Sequence, residues 1–418
     1  MRYSWPLTLS PGRPFLRFLR SGNAAVSSPH DRKGIDMSRL AQQVLHRVRP
    51  GVTAAAAVTA ALTAALLQAP GAAAQPASAG GPDGHGDVRQ GGAPSGISTL
   101  AGKWTFPWGM SFLPKTAKAL VTERYTSAVW LQKSDGGRKK VGTVPNTVAD
   151  DGDATTASGG LLGVAVPPTW NGTTDKDVFF VHTTATGTRV VKMRFDGTSL
   201  SGYTVVLGGI KFHSDHNGGA IAFGPDGYLY VTTGDALDKT TPQDKNSLNG
   251  KILRITRTGA AAPGNPFGNR VYSYGHRNAE GLAWDSRGRL WEVEIGGSQW
   301  DELNLVEKGG NYGWPACEGK CSTAGMKNPK SVWKPEAGGV PSQIAIVNDV
   351  IYVSTLRGER LWRLPIDATG KAVGTATSYY SGAYGRLRAL AKVPGADQLW
   401  LGSSNGPGQD AIYKIDIR

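Results

Sequence analysis

This sequence has few cysteines, few charged residues and no long basic run. Two of its 418 residues are cysteine and 19% are charged, whereas 57 are glycine, 25 proline and 12 tryptophan. This composition is typical of a turn-rich β protein and argues against a helical bundle or a disordered chain. Half of the net charge of +14 falls in residues 1–74, and the rest is spread out. A nucleic-acid-binding surface is therefore not predicted.

The sequence also lacks an apolar run long enough to span a bilayer. Its longest such run, residues 52–67, has 16 residues and three threonines, short of the ~20 that a membrane helix needs. Basic residues precede it and small residues follow, the order of a secretory signal. We therefore predict a signal peptide within residues 1–74, cut near Ala74, with a membrane anchor as the alternative. Residues before Met37 fit no signal template, so Met37 is an alternative translation start.

Two further expectations concern the chain that follows the signal. Residues 75–100 are rich in glycine and proline and poor in large apolar groups, as in a flexible linker, so the folded domain is expected at 101–418. The two cysteines, Cys317 and Cys321, lie close together in "CEGKC". In a secreted or cell-envelope protein this spacing favours a local disulfide, since a metal site would need more ligands nearby.

Internal repetition is the strongest architectural signal. Six segments share an apolar stretch, a turn rich in proline, glycine or aspartate, and a short strand. Their anchor residues recur every 46 to 62 positions, at Met110, Val164, Ile221, Leu282, Ile344 and Leu390. Turn-linked strands at this period indicate propeller blades. We therefore predict an all-β, six-bladed β-propeller with four-stranded antiparallel blades around a central axis. A β-sandwich is the alternative, but it gives no reason for six similar units.

Several units add a further strand in which apolar and charged residues alternate. The period of two predicts half-buried strands. The segments are "RVVKMRFDG", "KILRITRTG", "RLWRLPID" and "AIYKIDIR".

Because propellers host many unrelated functions, function must be read from polar groups near the axis. His216 stands just before a Gly-Gly pair and the first strand of the third unit, and Asp235 ends the same strand pair. An imidazole there is suited to act as a general base, with the carboxylate holding it. The alternative for His216 is a hydrogen-bonded turn residue.

Two further stretches carry polar clusters. In "SYGHRN", Arg277 offers a planar donor fork suited to a carboxylate or a quinone oxygen; an interblade salt bridge is the alternative. The second stretch, residues 294–315, combines a Gly-Gly turn with adjacent acids and Tyr312. Tight glycine turns can aim backbone carbonyls at a calcium ion, although the spacing is not that of a helix–loop–helix site.

Together these stretches resemble one family, the soluble, pyrroloquinoline quinone (PQQ)-dependent glucose and aldose sugar dehydrogenases, which are six-bladed propellers. The resemblance covers roughly residues 104–417, and its blocks occur in family order. These blocks are "GGLLGVA", "HNGGAIAFGPDGYLY", "GKILRI", "NPFG", "YGHRN" with "GLAW", and "WDELNL" with "GGNYGWP".

The resemblance implies roles for single residues. His216 matches the base that removes the sugar hydroxyl proton while hydride passes to PQQ, and Asp235 matches its carboxylate partner. Arg277 matches a residue that polarises the quinone oxygens, and Asn278 another cofactor contact. Arg357 falls where the family places a cation on a PQQ carboxylate.

The resemblance also implies calcium. Gly296 and Gly297 correspond to a turn whose carbonyls hold an active-site calcium ion, and Asp301 lies where a cofactor-side acid is expected. Glu302 and Tyr312 match a second, structural calcium site.

Three positions depart from the family pattern. Ala220 stands where a basic residue is common, Ser158 where Gln or Glu often precedes "GGLL", and Ile295 where a polar side chain is frequent. These changes keep the charge partners of the cofactor but leave the preferred sugar open.

The leading prediction is an exported quinoprotein enzyme that oxidises the C1 hydroxyl of aldoses to lactones and passes electrons to an external acceptor. A catalytically silent propeller that binds glycans or proteins is one alternative. It is disfavoured by the joint presence of His216, Arg277 and Arg357. A calcium-dependent lactonase is another alternative, but it would require several acidic or amide side chains around an axial metal.

Overall fold

The computed structural model describes residues 92–148 and 159–418. The predicted signal peptide, most of the predicted linker and Ser158 lie outside these residues. Within the described ranges, no helix has the length and apolar character needed to cross a membrane.

The described chain forms 24 strands in six antiparallel four-stranded sheets. Strand β1 (Pro94–Trp104) comes first and belongs to the last sheet. The first blade contains β2 (Pro107–Phe112), β3 (Lys118–Glu123), β4 (Ala128–Lys133) and β5 (Arg138–Thr143). The second contains β6 (Leu161–Ala165), β7 (Asp177–Thr184), β8 (Gly187–Phe195) and β9 (Leu200–Ile210). The third contains β10 (Ile221–Phe223), β11 (Leu229–Thr233), β12 (Lys251–Ile255) and β13 (Val271–Tyr274).

The remaining blades follow the same plan. The fourth contains β14 (Ala279–Trp284), β15 (Leu290–Glu294), β16 (Asp301–Val306) and β17 (Ser331–Trp333). The fifth contains β18 (Pro341–Val347), β19 (Val350–Thr355), β20 (Leu361–Pro365) and β21 (Thr377–Tyr379), and a 3-10 turn at Pro335–Ala337 precedes it. The sixth contains β22 (Leu387–Lys392), β23 (Gln398–Ser403), β24 (Asp410–Ile417) and β1.

The first strands of successive blades contact one another in a closed ring. The order around the ring is β2, β6, β10, β14, β18, β22 and back to β2. Each of the six anchor residues lies on one of these strands, so the predicted six-bladed propeller is confirmed. The strands with alternating charge are also confirmed, as β8, β12, β20 and β24, each the third strand of its blade counted from the axis.

Apolar side chains between blades form the core. Val129 of the first blade and Phe180 of the second are fully buried in one such cluster. The anchor residues themselves line a depression of about 700 Å³ at the far ends of the first strands. The repeated apolar residues that predict the fold therefore lie at one end of the propeller axis. The first strands begin at the other end.

Strand β1 closes the ring by pairing antiparallel with β24, the last strand of the chain. Pro94 pairs with Ile417, and Trp104 with Asp410. The sequence placed the end of the linker at residue 100, but the structure assigns residues 94–100 to β1. The local composition is too rich in glycine and serine to predict this strand. Its partner, β24, lies more than 300 residues further along the chain.

Candidate functional site

A cavity of about 350 Å³ lies where the first strands begin. Its walls come from residues just before the first strand and just after the second strand of several blades. These are the positions at which propeller loops converge on the axis. Seven of the predicted site residues line it: His216, Arg277, Asn278, Gly296, Gly297, Asp301 and Arg357.

His216 and Asp235 form a hydrogen-bonded pair at the cavity wall. His216 Nδ1 lies 2.8 Å from Asp235 Oδ1, and the carboxylate is almost fully buried. The amide of Leu237 also donates to Oδ1, and Trp314 Nε1 donates to Oδ2. Burial acts to raise the pKa of Asp235, but these hydrogen bonds outweigh burial and keep the pKa below its ordinary value. The ionised carboxylate therefore orients the ring and leaves Nε2 available to a ligand.

The backbone at His216 adopts a left-handed conformation, with φ of 57°. Two other residues lining the cavity, Phe106 and the β-branched Val340, also have positive φ, of 49° and 59°. Such conformations cost of order 1–3 kcal/mol each and cluster at functional sites in proteins.

The Gly-Gly pair after His216 serves backbone packing. A Cβ on Gly218 would lie 2.9 Å from the carbonyl oxygen of Thr232, and a Cβ on Gly219 would collide with Leu162. Both glycines are therefore in close contact with protein atoms. Gly218 also donates its N–H to Asn278 Oδ1 at 3.0 Å.

Arg277 reaches the cavity from the loop before β14. Its amide donates to Glu294 Oε1, and its Nη1 donates to the carbonyl of Ile295 at 3.0 Å. Its guanidinium lies 5.4 Å from the ring of Trp314, and its buried Nε has no partner in the described part of the chain. Burial lowers its pKa, against the attraction of Asp235 and Glu294. A buried donor without a partner is rare in native proteins and marks this arginine as a functional candidate.

Asn278 lines the cavity, but contacts within the protein occupy both ends of its amide. Its Oδ1 accepts from Gly218, and its Nδ2 donates to Glu280 Oε1 at 2.9 Å. The other oxygen of Glu280 accepts from Arg388 Nη1 at 2.9 Å. Asn278 therefore connects the third, fourth and sixth blades under the cavity.

Asp301 shapes the cavity through backbone groups. Its Oδ1 accepts from Gly296 N at 2.9 Å, and its Oδ2 accepts from Val340 N at 2.6 Å. A Cβ on Gly296 would collide with the carbonyl of Trp300, and one on Gly297 would lie 3.0 Å from Glu318 Oε2. Position 296 therefore requires glycine, whereas a side chain at position 297 would require Glu318 and Trp314 to shift by a few tenths of an ångström. Burial raises the pKa of Asp301, although the two amides oppose it.

Arginines outnumber the carboxylates of Asp215, Glu280 and Asp301 in the cavity lining. Besides Arg277 and Arg357, the side chains of Arg124, Arg386 and Arg388 line it. Burial lowers the pKa of Arg386, and repulsion from Arg388 adds to this effect. These three arginines were not predicted from the sequence. The pair Arg386 and Arg388 in "GRLRAL" has a detectable signal, two cations at alternate positions at the start of an inner strand.

Glu302 and Tyr312 lie outside the cavity. Glu302 belongs to a buried cluster with Glu292, Glu294 and His276, in which ligand atoms of the last three lie within 4.8 Å of one another. Glu302 joins this cluster through Asn304, whose Nδ2 donates to both Glu292 and Glu302 at 3.1 Å.

Electrostatics in this cluster favour a cation. Burial, with repulsion from Glu294, raises the pKa of Glu302 to about 8 and also raises that of Glu292. Glu292 Oε1 and Asn304 Oδ1 have no partner within the described ranges. The Tyr312 hydroxyl is bonded elsewhere, to Leu305 O and Glu307 N, and its ring stacks on His276.

Other residues near these motifs differ in their surroundings. Asp215 lines the cavity, whereas His213 contacts Ser214 at 3.0 Å and is not among the lining residues. Ala220 packs in an apolar cluster, and Ile295 lines the cavity. The predicted disulfide between Cys317 and Cys321 is present.

Trp314 is the functional residue that sequence reasoning missed most clearly. It contacts Asp235 and Arg277, yet it lies 79 and 37 residues further along the chain, so no local pattern links them. The assembled cavity combines a base held by a carboxylate, an excess of guanidinium groups and a glycine turn. It is suited to bind a polyanionic ligand and to remove a proton from a second ligand beside it.

Comparison with known proteins gives a consistent result. The glucose/sorbosone dehydrogenase family matches residues 104–414. The PQQ-bound structure of an aldose sugar dehydrogenase from Streptomyces coelicolor is 39% identical, covers 78% of this chain and 100% of its own, and has a TM-score of 0.70.

Two curated relatives match over shorter stretches. The aldose sugar dehydrogenase YliI of Escherichia coli is 30% identical over 58% of this chain and 67% of its own length. Quinoprotein glucose dehydrogenase B of Acinetobacter calcoaceticus is 32% identical over 48% of each chain. The matched part thus spans about half to two thirds of these relatives.

Proposed function

The chain belongs to the glucose/sorbosone dehydrogenase family, and from this premise we propose that it is an exported, PQQ-dependent aldose sugar dehydrogenase. The observation that carries the proposal is the placement of the His216–Asp235 pair and five arginines around one cavity. The quinone bound by the Streptomyces relative and named for the Acinetobacter relative supports the same cofactor here.

His216 is the proposed general base. Its Nε2 accepts the proton of the C1 hydroxyl of the sugar as the C1 hydrogen leaves as hydride, so that the alcohol carbon becomes the carbonyl carbon of a lactone. Asp235 holds the ring through Nδ1 and stabilises the imidazolium that forms. PQQ, when bound, would supply the hydride acceptor, and a calcium ion would supply Lewis acidity.

The charge of the cavity fits the cofactor. PQQ carries three carboxylates, and Arg277, Arg357 and Arg386 offer guanidinium groups to them. In the described part of the chain, no carboxylate forms an ion pair with Arg357 or Arg386. The guanidinium of Arg277, which lines the same cavity, is suited to a quinone or carboxylate oxygen.

Two calcium sites are part of the proposal. Gly296 and Gly297 would supply carbonyls to the ion in the cavity, with Asp301 fixing their turn. Glu302 and the backbone of Tyr312 would hold a structural ion, and the orphaned oxygens of Glu292 and Asn304 fit a cation there.

An assay of sugar-dependent dye reduction tests the proposal. The chain is purified without metal, and PQQ and calcium are added singly and together. We expect dye reduction to require both additions and the His216→Ala variant to lose about 10² to 10⁴ in rate, the scale for a missing general base.

The matched control is His213→Ala, which removes a nearby imidazole that does not line the cavity. It should retain the parental rate. Sugar oxidation without PQQ, or no oxidation across a panel of aldoses, would contradict the proposal. Lactone hydrolysis in the same preparation would favour the lactonase instead.

A further inference from the structure

Glu318 makes an unusual set of contacts beside the cavity. One of its carboxylate oxygens, Oε1, accepts hydrogen bonds from three consecutive amides, those of Ser298, Gln299 and Trp300, at 2.8, 2.6 and 2.9 Å. Consecutive amides converging on one oxygen form an anion-binding nest. Here the anion comes from the protein itself, 18 to 20 residues further along the chain.

The nest adjoins the glycine turn of the cavity. Ser298 follows Gly297 directly. Gly297 packs between Glu318 and Trp314, and a Cβ built on it would lie 3.0 Å from Glu318 Oε2 and 3.2 Å from the Trp314 ring. Gly296 is fixed from the other side by Asp301. The turn is therefore held at both ends by carboxylates, one from β16 and one from the loop after it.

Glu318 is presented by a small covalent ring. The disulfide between Cys317 and Cys321 encloses it, and the amide of the next residue, Gly319, donates to Glu302 Oε1 at 2.6 Å. One short loop thus contacts both the cavity turn and the buried acidic cluster. Holding the loop in a ring reduces the entropy lost when Glu318 engages the three amides.

We propose that Glu318 is a positioning residue that holds the Gly296–Gly297 turn in its cavity-lining conformation and thereby sets the affinity of the cavity for its cofactor and cation. The identity of the ligands in this inference rests on the proposed function. The ordering of the turn by Glu318 is independent of that function.

Two measurements test the proposal on the whole chain. Hydrogen exchange of the ligand-free protein follows the amides of residues 298–300. Quenching of tryptophan fluorescence gives the dissociation constant of PQQ in buffered calcium. In Glu318→Ala we expect exchange at these amides to quicken at least tenfold and the dissociation constant to rise at least tenfold. With PQQ saturating, kcat should stay within about threefold, because His216 and Asp235 are untouched.

Lys320→Ala is the matched control, since this exposed residue lies in the same disulfide ring. It should leave exchange and affinity unchanged. Glu318→Gln retains an acceptor oxygen and should restore part of the amide protection. The Cys317→Ser, Cys321→Ser double variant should shift both measurements in the same direction as Glu318→Ala, but less.

The outcomes separate the inference from the proposed function. Unchanged exchange in Glu318→Ala, or faster exchange with an unchanged dissociation constant, overturns the inference. If the parental chain binds no PQQ, the proposed function fails. In that case the part of the inference that concerns cofactor affinity also fails, and the exchange data alone show whether Glu318 orders the turn.

Discussion

At the scale of single residues, Trp314 contacts several groups of the site and also donates a hydrogen bond to one of them. Its indole N–H is a donor to Asp235 Oδ2, and its ring lies beside Arg277 and Gly297. Phenylalanine would keep most of the packing and remove only the donor. A buried acceptor that loses its partner costs about 1–3 kcal/mol.

We therefore predict that Trp314→Phe lowers kcat about tenfold with little change in the KM for the sugar, because the carboxylate loses one of its donors and fixes the ring of His216 less firmly. Steady-state kinetics with PQQ saturating would measure this split. Trp300→Phe is the control, because the Trp300 ring lies near Lys334 rather than Asp235. A kcat equal to that of the parent would exclude a positioning role for the indole N–H.

His182 provides a residue-scale prediction far from the cavity. It is fully buried in the second blade, between the hydroxyls of Thr147 and Tyr203, each at 3.0 Å. Burial, with a smaller contribution from Arg189, lowers its pKa from 6.5 to about 4. Because folding lowers the pKa of this base, the stability that it contributes is complete above pH 6.5 and is lost as the pH falls toward 4.

The free energy of unfolding should therefore fall by roughly 3 kcal/mol from this group between pH 6.5 and pH 4. Urea titrations across this range would measure the slope. His182→Gln should flatten the slope while starting from a lower stability at pH 7. An identical slope in the two proteins would assign the pH dependence to other groups.

The sequence predicted the residues of the site better than the contacts among them. His216, Arg277 and the glycine turn stand in local motifs beside strand ends, and the structure brings them to one cavity. The contacts of Arg388 and Trp314 could not be predicted because their partners are distant in sequence. No local pattern indicated that Arg388 would pair with Glu280, 108 residues earlier.

At the scale of elements, the inner strands approach one another closely enough to require glycine. A Cβ on Gly163 of β6 would collide with the carbonyl of Gly219 and press on Ile221. Gly163→Ala should therefore lower the free energy of unfolding by about 1–3 kcal/mol or more. Gly208 of the outer strand β9 is the control, because a Cβ there meets nothing within 4 Å.

Gly208→Ala should change stability by less than about 0.5 kcal/mol, as expected of a surface position. Chemical denaturation of both variants gives the comparison. Equal losses would mean that glycine is needed in these strands for a reason other than close approach to the next blade.

The repeat predicted strand order well because each blade buries apolar residues with the same spacing. It could not predict β1, whose inner and outer faces differ little in burial. Local composition at residues 94–100 resembles a linker, and only pairing with β24 makes it a strand. Tertiary context here overrides the local preference.

At the scale of the whole molecule, the cavity exists only while the ring of blades is closed. Residues from the first, third, fourth, fifth and sixth blades line it, so opening the ring at any blade would separate the arginines from His216. Strand β1 is the closing element, since it is the outermost strand of the sixth blade but precedes the first blade in sequence. Its last residue, Trp104, is fully buried and packs edge to face on Trp130 of the first blade.

A chain that begins at Thr105 should therefore lose thermal stability and aggregate, whereas a chain that begins at Gly92 serves as the reference. Removing β1 exposes the edge of β24 and leaves the space of Trp104 unfilled, so we expect a Tm lower by more than about 10 °C. A synthetic peptide of residues 92–104 can pair with the exposed edge and should raise the Tm of the shorter chain in a concentration-dependent way. If the shorter chain has the same Tm as the reference, or if the peptide does not change its Tm, the ring closes without this strand.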